Sequence, residues 1–530
     1  MNIPCRIFFW GCMMTLSLRA AADGFIPADA GIEQLRAALD GGRITSVQLV
    51  RYYLDRIERF DKKGPHINAL IALNPDVLKQ AAQRDADGRT RTGKGLLYGI
   101  PFIAKDNYDT AGVATSGGSA ALMHSLPPSN AFVVQKLLDQ GALLLGKANM
   151  SELAASYGRL GYSSAGGLTV NPYNTARNAS GSSSGSAAAV AADFAAFALG
   201  TDTSGSLRGP ASVTGLVGVR PTLGLTSRSG VIPLSLTFDT TGVLARSVRD
   251  AAIVLDAMAG PDARDAATLR QPAARGSYLA ALDARSVLGT GSLRGTRLGV
   301  IGNFRGGNPE VDEVERGALK TLEARGAVLV PVTLPKEFEQ LWNSVLGPVG
   351  EAEFKPQFER YLQSLPASQP KSLEQFIAIS ASTAVMNSAT PVNPARLDGL
   401  RQAQDTRLTD SPAYIHILTD VIPSLRQRLR QLMTADSLQA LVFSTMSCPA
   451  SPRFDRPDLS YVCHSDDPYR ADYMASAAGF PEVSVPAARI SANMPVGLSF
   501  MGLPYGEAQL LALAHAFESA VPALPAAQLH

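Results

Sequence analysis

Apolar residues near the start of the chain recur at helical spacing. One apolar face runs over 32–39 and stops at Gly41, and a second runs over 47–57 behind the cap candidates Thr45 and Ser46. Each face is about as wide as a helix needs to pack against a core. Two amphipathic helices are therefore predicted before the first strand.

Beyond these helices, short apolar runs alternate with helical stretches, one of which covers 130–140. The clearest unit is a strand, a helix with apolar positions from 311 to 322, and a second strand that follows Gly326. Such alternation predicts an α/β protein with a mixed, largely parallel central sheet covered by helices on both faces. The strand-like runs are 68–73, 97–104, 142–145, 298–301, 327–332, 441–444, 482–486 and 496–500.

The stretch 337–433 interrupts this alternation. It is polar, helical in composition and broken by Pro366, Pro370 and Pro391. We interpret it as a helical excursion that lies over the substrate site. Because strand-like runs resume after it and a final helix follows at 507–519, residues 23–530 are predicted to form a single large domain.

The segment 1–22 has the parts of a secretory signal peptide. Arg6 gives a basic start, 7–18 is apolar, and 20–22 offers small residues for cleavage. We therefore expect a periplasmic or secreted protein, and an uncleaved N-terminal anchor is the alternative that the pattern leaves open. No later run reaches the roughly 18 apolar residues of a membrane span, so no stable membrane insertion is expected after cleavage.

Charge and cysteine content narrow the function further. The chain has 48 Lys and Arg against 46 Asp and Glu, and Arg6 and Arg19 leave with the signal segment, so the mature chain is neutral and no nucleic-acid partner is expected. No His/Cys cluster has metal-ligand spacing, and neither a metal nor a cofactor is predicted. Cys448 and Cys463 could pair in an oxidising compartment, closing a loop worth about 3 kcal/mol, and two buried thiols explain them equally well.

The region 171–221 is unusually rich in Gly and Ser. The tracts 180–186 and 200–210 enclose an Ala-rich helix predicted over 187–197. Gly/Ser tracts are usually flexible linkers, but apolar helix- and strand-forming sequence borders these tracts closely on both sides. Packed loops of this kind present backbone N–H groups to a negatively charged group.

Seven motifs in this order resemble the amidase signature hydrolases, and among them the chain is most similar to bacterial peptide amidases. The resemblance covers roughly 30–520, almost the whole mature chain, and the ordered set is far more specific than any one motif. The motifs are Gly99-Ile-Pro-Phe-Ile-Ala-Lys-Asp-Asn107, Gly146-Lys-Ala-Asn-Met-Ser-Glu-Leu153, Asn171-Pro-Tyr-Asn174, Gly181-Ser-Ser-Ser-Gly185, Gly200-Thr-Asp-Thr-Ser-Gly-Ser-Leu-Arg208, Gly218-Val-Arg-Pro-Thr222 and Pro495-Val-Gly-Leu-Ser499.

The resemblance implies a catalytic triad of two serines and a lysine. Ser206 matches the nucleophile that forms the acyl-enzyme, Ser182 the serine preceded by a cis peptide bond, and Lys105 the general base. A serine hydroxyl needs such a base, because it is a weak nucleophile at neutral pH. Lysine can accept a proton only when neutral, which requires its pKa to fall about 3 units from about 10.4. The apolar run 100–104 before Lys105 would supply the necessary desolvation.

The resemblance also implies supporting residues around the nucleophile. In two places the chain departs from the common pattern, since Ser204 and Ser180 stand where many relatives carry glycine. Both residues are small and keep their backbone donors, so the departures affect substrate preference more than catalysis. The oxyanion hole is assigned to the backbone N–H groups of Thr203, Ser204, Gly205 and Ser206, and the supporting side chains are Asp202, Ser183 and Arg208.

Some features of the sequence bear on alternative functions. The match to G-x-S-x-G at 181–185 is interpreted as accidental, because the preceding segment 171–178 is polar and turn-like whereas a nucleophile elbow follows a strand. None of the six histidines lies in a motif, as a lysine-based mechanism predicts. The resemblance favours release of ammonia from C-terminal peptide amides. Aryl or fatty acyl amide hydrolysis, an amidase-like subunit of a tRNA-dependent amidotransferase, a non-catalytic binding protein and a histidine-dependent esterase are the alternatives, and the oligomeric state is open.

Overall fold

An eleven-stranded sheet lies at the centre of this computed structural model. The structure describes residues 25–529 except 89–94, 273–275, 288–291 and 406–407, so the predicted signal peptide 1–22 lies outside the described residues. The strands are β1 (Leu70–Leu73), β2 (Pro101–Lys105), β3 (Leu143–Ala148), β4 (Tyr162–Ser163), β5 (Gly167–Leu168), β6 (Val170–Asn171), β7 (Asn174–Asn178), β8 (Phe197–Asp202), β9 (Val217–Arg220), β10 (Thr240–Ala245), β11 (Arg297–Ile301), β12 (Val328–Val332), β13 (Ala440–Ser444), β14 (Glu482–Arg489) and β15 (Pro495–Met501).

Helices pack against the sheet and occupy most of the connections between strands. They are α1 (Ile32–Asp40), α2 (Ser46–Phe60), α3 (Val77–Gly88), α4 (Phe132–Asp139), α5 (Ser184–Ala191), α6 (Arg208–Val213), α7 (Val248–Met258), α8 (Tyr278–Val287), α9 (Pro309–Ala324), α10 (Gly347–Ser364), α11 (Leu373–Ser380), α12 (Thr383–Met386), α13 (Pro394–Asp405), α14 (Pro412–His416), α15 (Ile422–Ala435), α16 (Tyr473–Ala478) and α17 (Glu507–Glu518). Short 3-10 segments lie at Ala120–Leu122, Glu152–Ala154, Ala266–Arg270, Lys336–Glu339, Arg470–Asp472 and Ser491–Asn493, and π-helical turns at Trp342–Leu346 and Ile417–Val421.

The sheet is mixed, with two parallel blocks and an antiparallel centre. Its strand order is β1-β3-β2-β8-β10-β9-β14-β15-β13-β11-β12. The parallel pairs are β2 with β3 and β8, and β11 with β12 and β13, while the other neighbouring pairs are antiparallel. The α/β class, the single large domain and the mixed sheet are confirmed.

The antiparallel share is larger than the prediction of a largely parallel sheet implied, because of how the central strands are connected. Parallel neighbours need a crossover, and α4 and α9 provide one between β2 and β3 and between β11 and β12. Strands β14 and β15 are joined by only 490–494, which is too short for a crossover, so this pair is antiparallel.

The local signals at the N-terminus are confirmed. Thr45 caps α2, because its side chain accepts a hydrogen bond from the backbone N–H of Gln48 at 3.1 Å, and the Gln48 side chain accepts the Thr45 N–H in return. The apolar face of α1 is buried in the main core, as is that of α2. The predicted bounds of these two helices and of the first strand differ from the observed bounds by a few residues, whereas the type of each element is correct.

Two elements near the Gly/Ser tracts differ from expectation. The Ala-rich helix α5 ends at Ala191, and β8 follows at Phe197, a strand that the pattern did not reveal because Ala198 and Gly200 have weak strand preference. The segment before the G-x-S-x-G match, predicted to be turn-like, contains β7, which pairs with β6 in a separate two-stranded sheet and forms an isolated bridge from Arg177 to Pro452.

The 337–433 stretch is helical, as predicted, and contains α10 to α14 and most of α15. Its aromatic side chains, including Phe354, Phe358 and Phe376, form an apolar cluster that also takes in Ile232 from the loop before β10. Whether this stretch lies over the substrate site stays a prediction. Among the helices of the described ranges, none combines the length and apolarity needed to cross a membrane.

Candidate active site

Lys105 lies at the last position of β2, between two strands that bury it. Strand β3 flanks β2 on one side and β8 on the other, and the side chain of Lys105 has no exposed surface. Its Nζ contacts two hydroxyl groups, Ser182 Oγ and Thr201 Oγ1, each at 2.8 Å. Within the described part of the chain, Lys105 forms no ion pair with a carboxylate, so its amine is surrounded by neutral partners.

Burial lowers the pKa of Lys105 to about 7. The negative charges of Asp202 and Asp239 act in the opposite direction but are outweighed by the loss of solvation. The desolvation expected from the apolar run 100–104 is therefore present, and a large share of the amine is neutral near pH 7. A neutral lysine amine can accept a proton, which the ordinary ammonium form cannot.

Ser182 is held beside Lys105 by the loop before α5. The Gly181–Ser182 peptide bond is cis, as the resemblance implies, and the carbonyl of Ser182 accepts a hydrogen bond from the Ser151 N–H at 3.1 Å. Glycine is required at 181, because an added Cβ would lie 2.5 Å from Ser151 Oγ. These contacts place the Ser182 side chain on Lys105 from 77 positions away in the chain.

Ser183 ties this loop to the loop that carries Ser206. The Ser183 N–H donates to the carbonyl of Ser206 at 3.0 Å, and the Ser183 hydroxyl donates to the carbonyl of Thr201 at 3.1 Å. The supporting role that the resemblance implies for Ser183 thus has a clear geometry. It brings the predicted nucleophile, relay serine and base into one buried region.

Asp202 shapes the turn on both sides of Ser206. Its carboxylate accepts the N–H of Gly205 at 3.0 Å and the N–H of Leu207 at 3.1 Å. Gly205 has φ of +104°, a left-handed conformation that favours glycine. Ser206 sits at the top of this turn with 8% of its surface exposed, and α6 begins two residues later at Arg208.

The predicted oxyanion donors do not all remain free. The Gly205 N–H is taken by Asp202, so it is not available to a ligand in this structure. The backbone N–H groups of Thr203, Ser204 and Ser206 donate to no atom in the described parts of the chain. Of the four predicted oxyanion donors, Thr203, Ser204 and Ser206 thus keep a free N–H among the described residues, and their role stays a prediction.

Two buried arginines hold Asp202 in its ionised form. Arg208 donates to Asp202 through Nε at 3.0 Å and Nη2 at 2.9 Å, and Arg220 donates to it at 2.7 Å. Burial alone would raise the pKa of Asp202, but the two guanidinium charges outweigh it and hold the pKa well below its usual range. Asp202 and Arg208 thus contact each other beneath the Ser206 turn, and their supporting roles stay a prediction.

Other residues at the site escaped the sequence reasoning. Thr201 accepts the second hydrogen bond of Lys105, and Asn107 donates to the same hydroxyl at 3.1 Å. Asp239 accepts the Thr203 hydroxyl at 2.6 Å, and burial raises its pKa to about 6. Asn107, Thr201 and Arg220 lie inside the recognised motifs, so the signal was available, whereas Asp239 lies outside all of them.

Two cavities adjoin the serine loops and differ greatly in size. A cleft of about 300 Å³ is lined by Ser180, Leu160, Met446, Tyr461 and Tyr469, and none of its lining residues in the described chain is an Asp, Glu, Lys or Arg. The ring of Tyr469 lies close to Gly209 of α6, where an added Cβ would be 2.6 Å away. The cleft therefore lies next to both the Ser182 loop and the Ser206 loop.

The second cavity lies on the side of Thr201 and Thr203. It has a volume of about 10 Å³, the space of one water molecule, and its other lining residues include Asn107, Ile232 and Asp239. Its wall includes both a hydroxyl partner of Lys105 and a predicted oxyanion donor.

Cys448 and Cys463 form a disulfide, which resolves the two possibilities that the sequence left open. The bond closes the loop that supplies part of the wall of the 300 Å³ cleft, including Tyr461. In the part of the chain that the structure describes, no group of three or more His, Cys, Asp or Glu side chains could hold a metal ion.

Comparison with known proteins identifies the class. The family model described as Amidase matches residues 48–511, so the chain belongs to the amidase family and is a hydrolase that acts on carboxamide C–N bonds.

Two solved structures and one sequence relative illustrate the similarity. The native peptide amidase of Stenotrophomonas maltophilia is 36% identical, with a TM-score of 0.83, covering 95% of this chain and 99% of that one. An amidase family protein of Bacillus anthracis is 30% identical, with a TM-score of 0.82, covering 95% and 93%. A glutamyl-tRNA(Gln) amidotransferase subunit of Aromatoleum aromaticum is 35% identical, covering 93% and 97%.

Proposed function

We propose that this amidase acts through a covalent acyl-enzyme on Ser206, with Ser182 and Lys105 moving the proton. The observation that carries the proposal is the fully buried Lys105 amine, 2.8 Å from Ser182 Oγ and without a carboxylate partner in the described chain. A buried amine held only by hydroxyls is poised to accept a proton, whereas a structural lysine is normally paired with an acid.

The proposed steps start from the Lys105–Ser182 contact and from the Ser183 N–H bond that ties the Ser182 loop to Ser206. As Ser206 Oγ bonds to the amide carbon, its proton passes to Ser182 Oγ, and the Ser182 proton passes to Lys105 Nζ. The negative oxygen that develops is stabilised by the free N–H groups of Thr203, Ser204 and Ser206. The proton then returns through Ser182 to the leaving nitrogen, and the C–N bond breaks. Water attacks the acyl-enzyme by the same route and releases the carboxylic acid.

For the substrate, we propose C-terminal peptide amides, with ammonia as the leaving product. Similarity to the Stenotrophomonas maltophilia peptide amidase over 95% of the chain supports this class. The cavities are also compatible with it, because the uncharged 300 Å³ cleft suits an apolar acyl portion and the 10 Å³ cavity has room for ammonia or a water. Aryl and fatty acyl amides would use the same machinery and differ only in the leaving or acyl group.

The test is ammonia or amine release across a panel of peptide, aryl and fatty acyl amides. Ser206→Ala is the blank, and Ser204→Ala is the matched control, because it removes a hydroxyl from the same turn and leaves the backbone N–H in place. We expect Ser206→Ala to lose activity and Ser204→Ala to keep most of it. Equal rates for wild type and Ser206→Ala would refute the nucleophile assignment.

A second candidate is an amidase component of an amidotransferase, which the 35% identity to the Aromatoleum aromaticum protein favours. That function predicts glutamine as the amide donor and dependence on partner subunits. Hydrolysis of peptide amides by the purified single chain, without activity on glutamine, would decide against it.

We also propose that the chain is exported to the periplasm or secreted. The Cys448–Cys463 disulfide supports an oxidising compartment, since such bonds are rare in reducing ones. Cell fractionation with N-terminal sequencing of the mature protein tests this, and cleavage within 20–22 is expected. A full-length chain recovered from the cytoplasm would contradict it.

A further inference from the structure

Beneath the Ser206 turn, three buried carboxyl groups face two buried guanidinium groups. Asp202, Asp472 and Glu482 are the acids, Arg208 and Arg220 are the bases, and none of the five side chains has exposed surface. With every group ionised, this cluster would carry one uncompensated negative charge. Such a charge is costly to bury, so one carboxyl group is expected to keep its proton.

The contacts of Glu482 and Asp472 indicate which carboxyl group keeps the proton. Glu482 contacts Arg208 Nη1 directly through Oε2, and its Oε1 accepts the Ser499 hydroxyl at 2.7 Å. Asp472 lies 3.4 Å from the same Nη1, and no donor in the described residues makes a hydrogen bond to either of its carboxylate oxygens. The negative charge is thus well stabilised on Glu482 and poorly stabilised on Asp472.

Asp472 also touches the turn that carries Ser206. A Cβ added to Gly205 would lie 2.6 Å from Asp472 Oδ2 and 3.0 Å from the Asp472 Cβ, so the carboxyl group rests against the α-carbon of Gly205. The side chain therefore limits the positions that Gly205, and with it Ser206, can occupy. This contact joins the 3-10 turn Arg470–Asp472 to the nucleophile turn from 267 positions away in the sequence.

We propose that Asp472 is a neutral carboxylic acid that positions the turn bearing Ser206. It is a positioning residue, since its own contact is with Gly205. The groups that face it are Arg208, Asp202 and Glu482 in the cluster, with Tyr469 and Tyr473 on its own segment.

The electrostatic direction agrees with this geometry. Burial raises the pKa of Asp472 well above its usual range and also raises that of Glu482, in each case ahead of the opposing attraction of Arg208. The neutral state has a consequence for the reaction. A negative charge on Asp472 would lie against Gly205, the residue before the proposed nucleophile, and would oppose the developing oxyanion. Keeping the proton removes that repulsion.

The test compares two isosteric neutral variants, Asp472→Asn and Glu482→Gln. Asn matches the size of a carboxylic acid that is already neutral, so kcat of Asp472→Asn is expected within about twofold of wild type. Gln at 482 removes the ionised partner of Arg208, and kcat is expected to fall roughly tenfold or more. Equal losses in the two variants, or a larger loss in Asp472→Asn, would overturn the assignment.

Asp472→Ala separates positioning from charge. It leaves Gly205 unsupported, so kcat is expected to fall about tenfold while KM changes little, and Asp472→Asn restores the rate. A fall in thermal midpoint with unchanged kcat per folded molecule would show a merely structural residue and contradict the proposal. Should Asp472→Ala fail to fold, the Asn and Gln pair still decides the question.

Infrared spectroscopy gives a readout that does not depend on Ser206 or on any substrate. At pH 8, the C=O stretch of protonated carboxylic acids is expected to lose one component in Asp472→Asn. Asp466→Asn is the control, because Asp466 lies on the same segment with its side chain 85% exposed, and this variant should leave the band unchanged. An unaltered band in Asp472→Asn would refute the neutral acid even if the triad assignment holds.

Discussion

Two lysines on neighbouring strands, equally buried, have opposite surroundings. Lys105 on β2 and Lys147 on β3 lie one register step apart, with Ala104 opposite Lys147 and Lys105 opposite Ala148. Both side chains have no exposed surface. One register step reverses the face of the sheet to which a side chain points, so the two amines lie on opposite faces and meet different atoms.

Lys147 meets charge and strong acceptors. Its Nζ lies 3.3 Å from Asp106 Oδ1 and donates to the Tyr108 carbonyl at 2.8 Å and to Thr115 Oγ1 at 2.6 Å. Burial lowers its pKa, but the charges of Asp106 and Asp109 oppose the shift. Among the described residues, the hydrogen-bond partners of the Lys105 amine are two hydroxyls, and its pKa falls to about 7. Burial alone therefore does not make a base, and the absence of a carboxylate partner is what separates the two residues.

The largest effect should come from replacing Lys105. Lys105→Met removes the proton acceptor and is expected to lower kcat by about 10²–10⁴-fold. The fold should survive, because methionine fills similar space and no carboxylate loses its partner. Steady-state kinetics and thermal melting check this, and a variant that keeps its kcat would exclude Lys105 as the base.

Lys147→Met should have the opposite effects, with a large loss of stability and a small loss of kcat. It leaves Asp106 buried without its ion-pair partner, and we expect the free energy of unfolding to fall by about 3–5 kcal/mol. The kcat per folded molecule should fall far less than in Lys105→Met. Urea unfolding and active-site titration separate the two quantities. A Lys147→Met protein as stable as wild type would contradict a structural role for the Lys147–Asp106 pair.

The next largest effect is expected in the pH dependence of kcat/KM. The proposed mechanism requires the neutral amine of Lys105, so kcat/KM should rise about tenfold per pH unit below its pKa and level off above about 7. In Ser204→Ala the same curve is expected, because that change leaves Lys105 untouched. A rate that falls as pH rises from 6 to 8 would contradict a lysine base.

The free energy of unfolding should also depend on pH through Lys105, and the pKa of its amine fixes the direction of the change. The pKa of Lys105 is lower in the folded state, at about 7, than its ordinary value of 10.5, so the unfolded chain binds more protons between these values. The contribution of Lys105 to stability therefore grows with pH across that window, by at most about 1.4 kcal/mol per unit. The carboxyl groups of Asp109 and Asp239, with pKa values raised by burial to about 6, are already ionised there.

This is measured as the unfolding free energy of wild type minus that of Lys105→Met at pH 7.5 and 8.5. The difference should move in favour of wild type as pH rises. A constant difference would mean that the amine stays charged after folding.

The smallest effect should come from the hydroxyl partners. Thr201→Val removes one of the two acceptors of Lys105, and a fall in kcat of about 2–10-fold is expected, since one neutral hydrogen bond is worth about 0.5–1.5 kcal/mol. Thr115→Val is the matched change at Lys147 and should lower stability by about 1 kcal/mol without altering kcat. Equal kinetic losses in both variants would show that the contrast between the two lysines is not functional.

Much of the fold could be predicted because its signals are local. The helices α1, α2, α4 and α17 and strands such as β11 and β12 follow from apolar spacing and capping residues within a few positions of each other. Strand β8 escaped, since its small residues lack the usual β-strand signature, and so did the antiparallel centre of the sheet, which depends on how long each connection is.

In the candidate site, too, the sequence predicted some residues and not others. Motif order marked Lys105, Ser182 and Ser206, and the apolar run before Lys105 predicted its burial. Nothing in the local sequence pointed to Asp239 or Asp472, whose contacts with Thr203 and Gly205 arise only when separate loops meet.

The sequence by itself determined the class of protein, the order of its elements and the apolar environment of Lys105, because each depends on neighbours along the chain. The tertiary structure decided which groups the amine meets, bringing Ser182 from 77 positions away and Thr201 from 96. It also decided which of the predicted oxyanion donors stay free among the described residues and which acids contact Arg208. Those properties depend on distances between remote segments, which only the packed sheet defines.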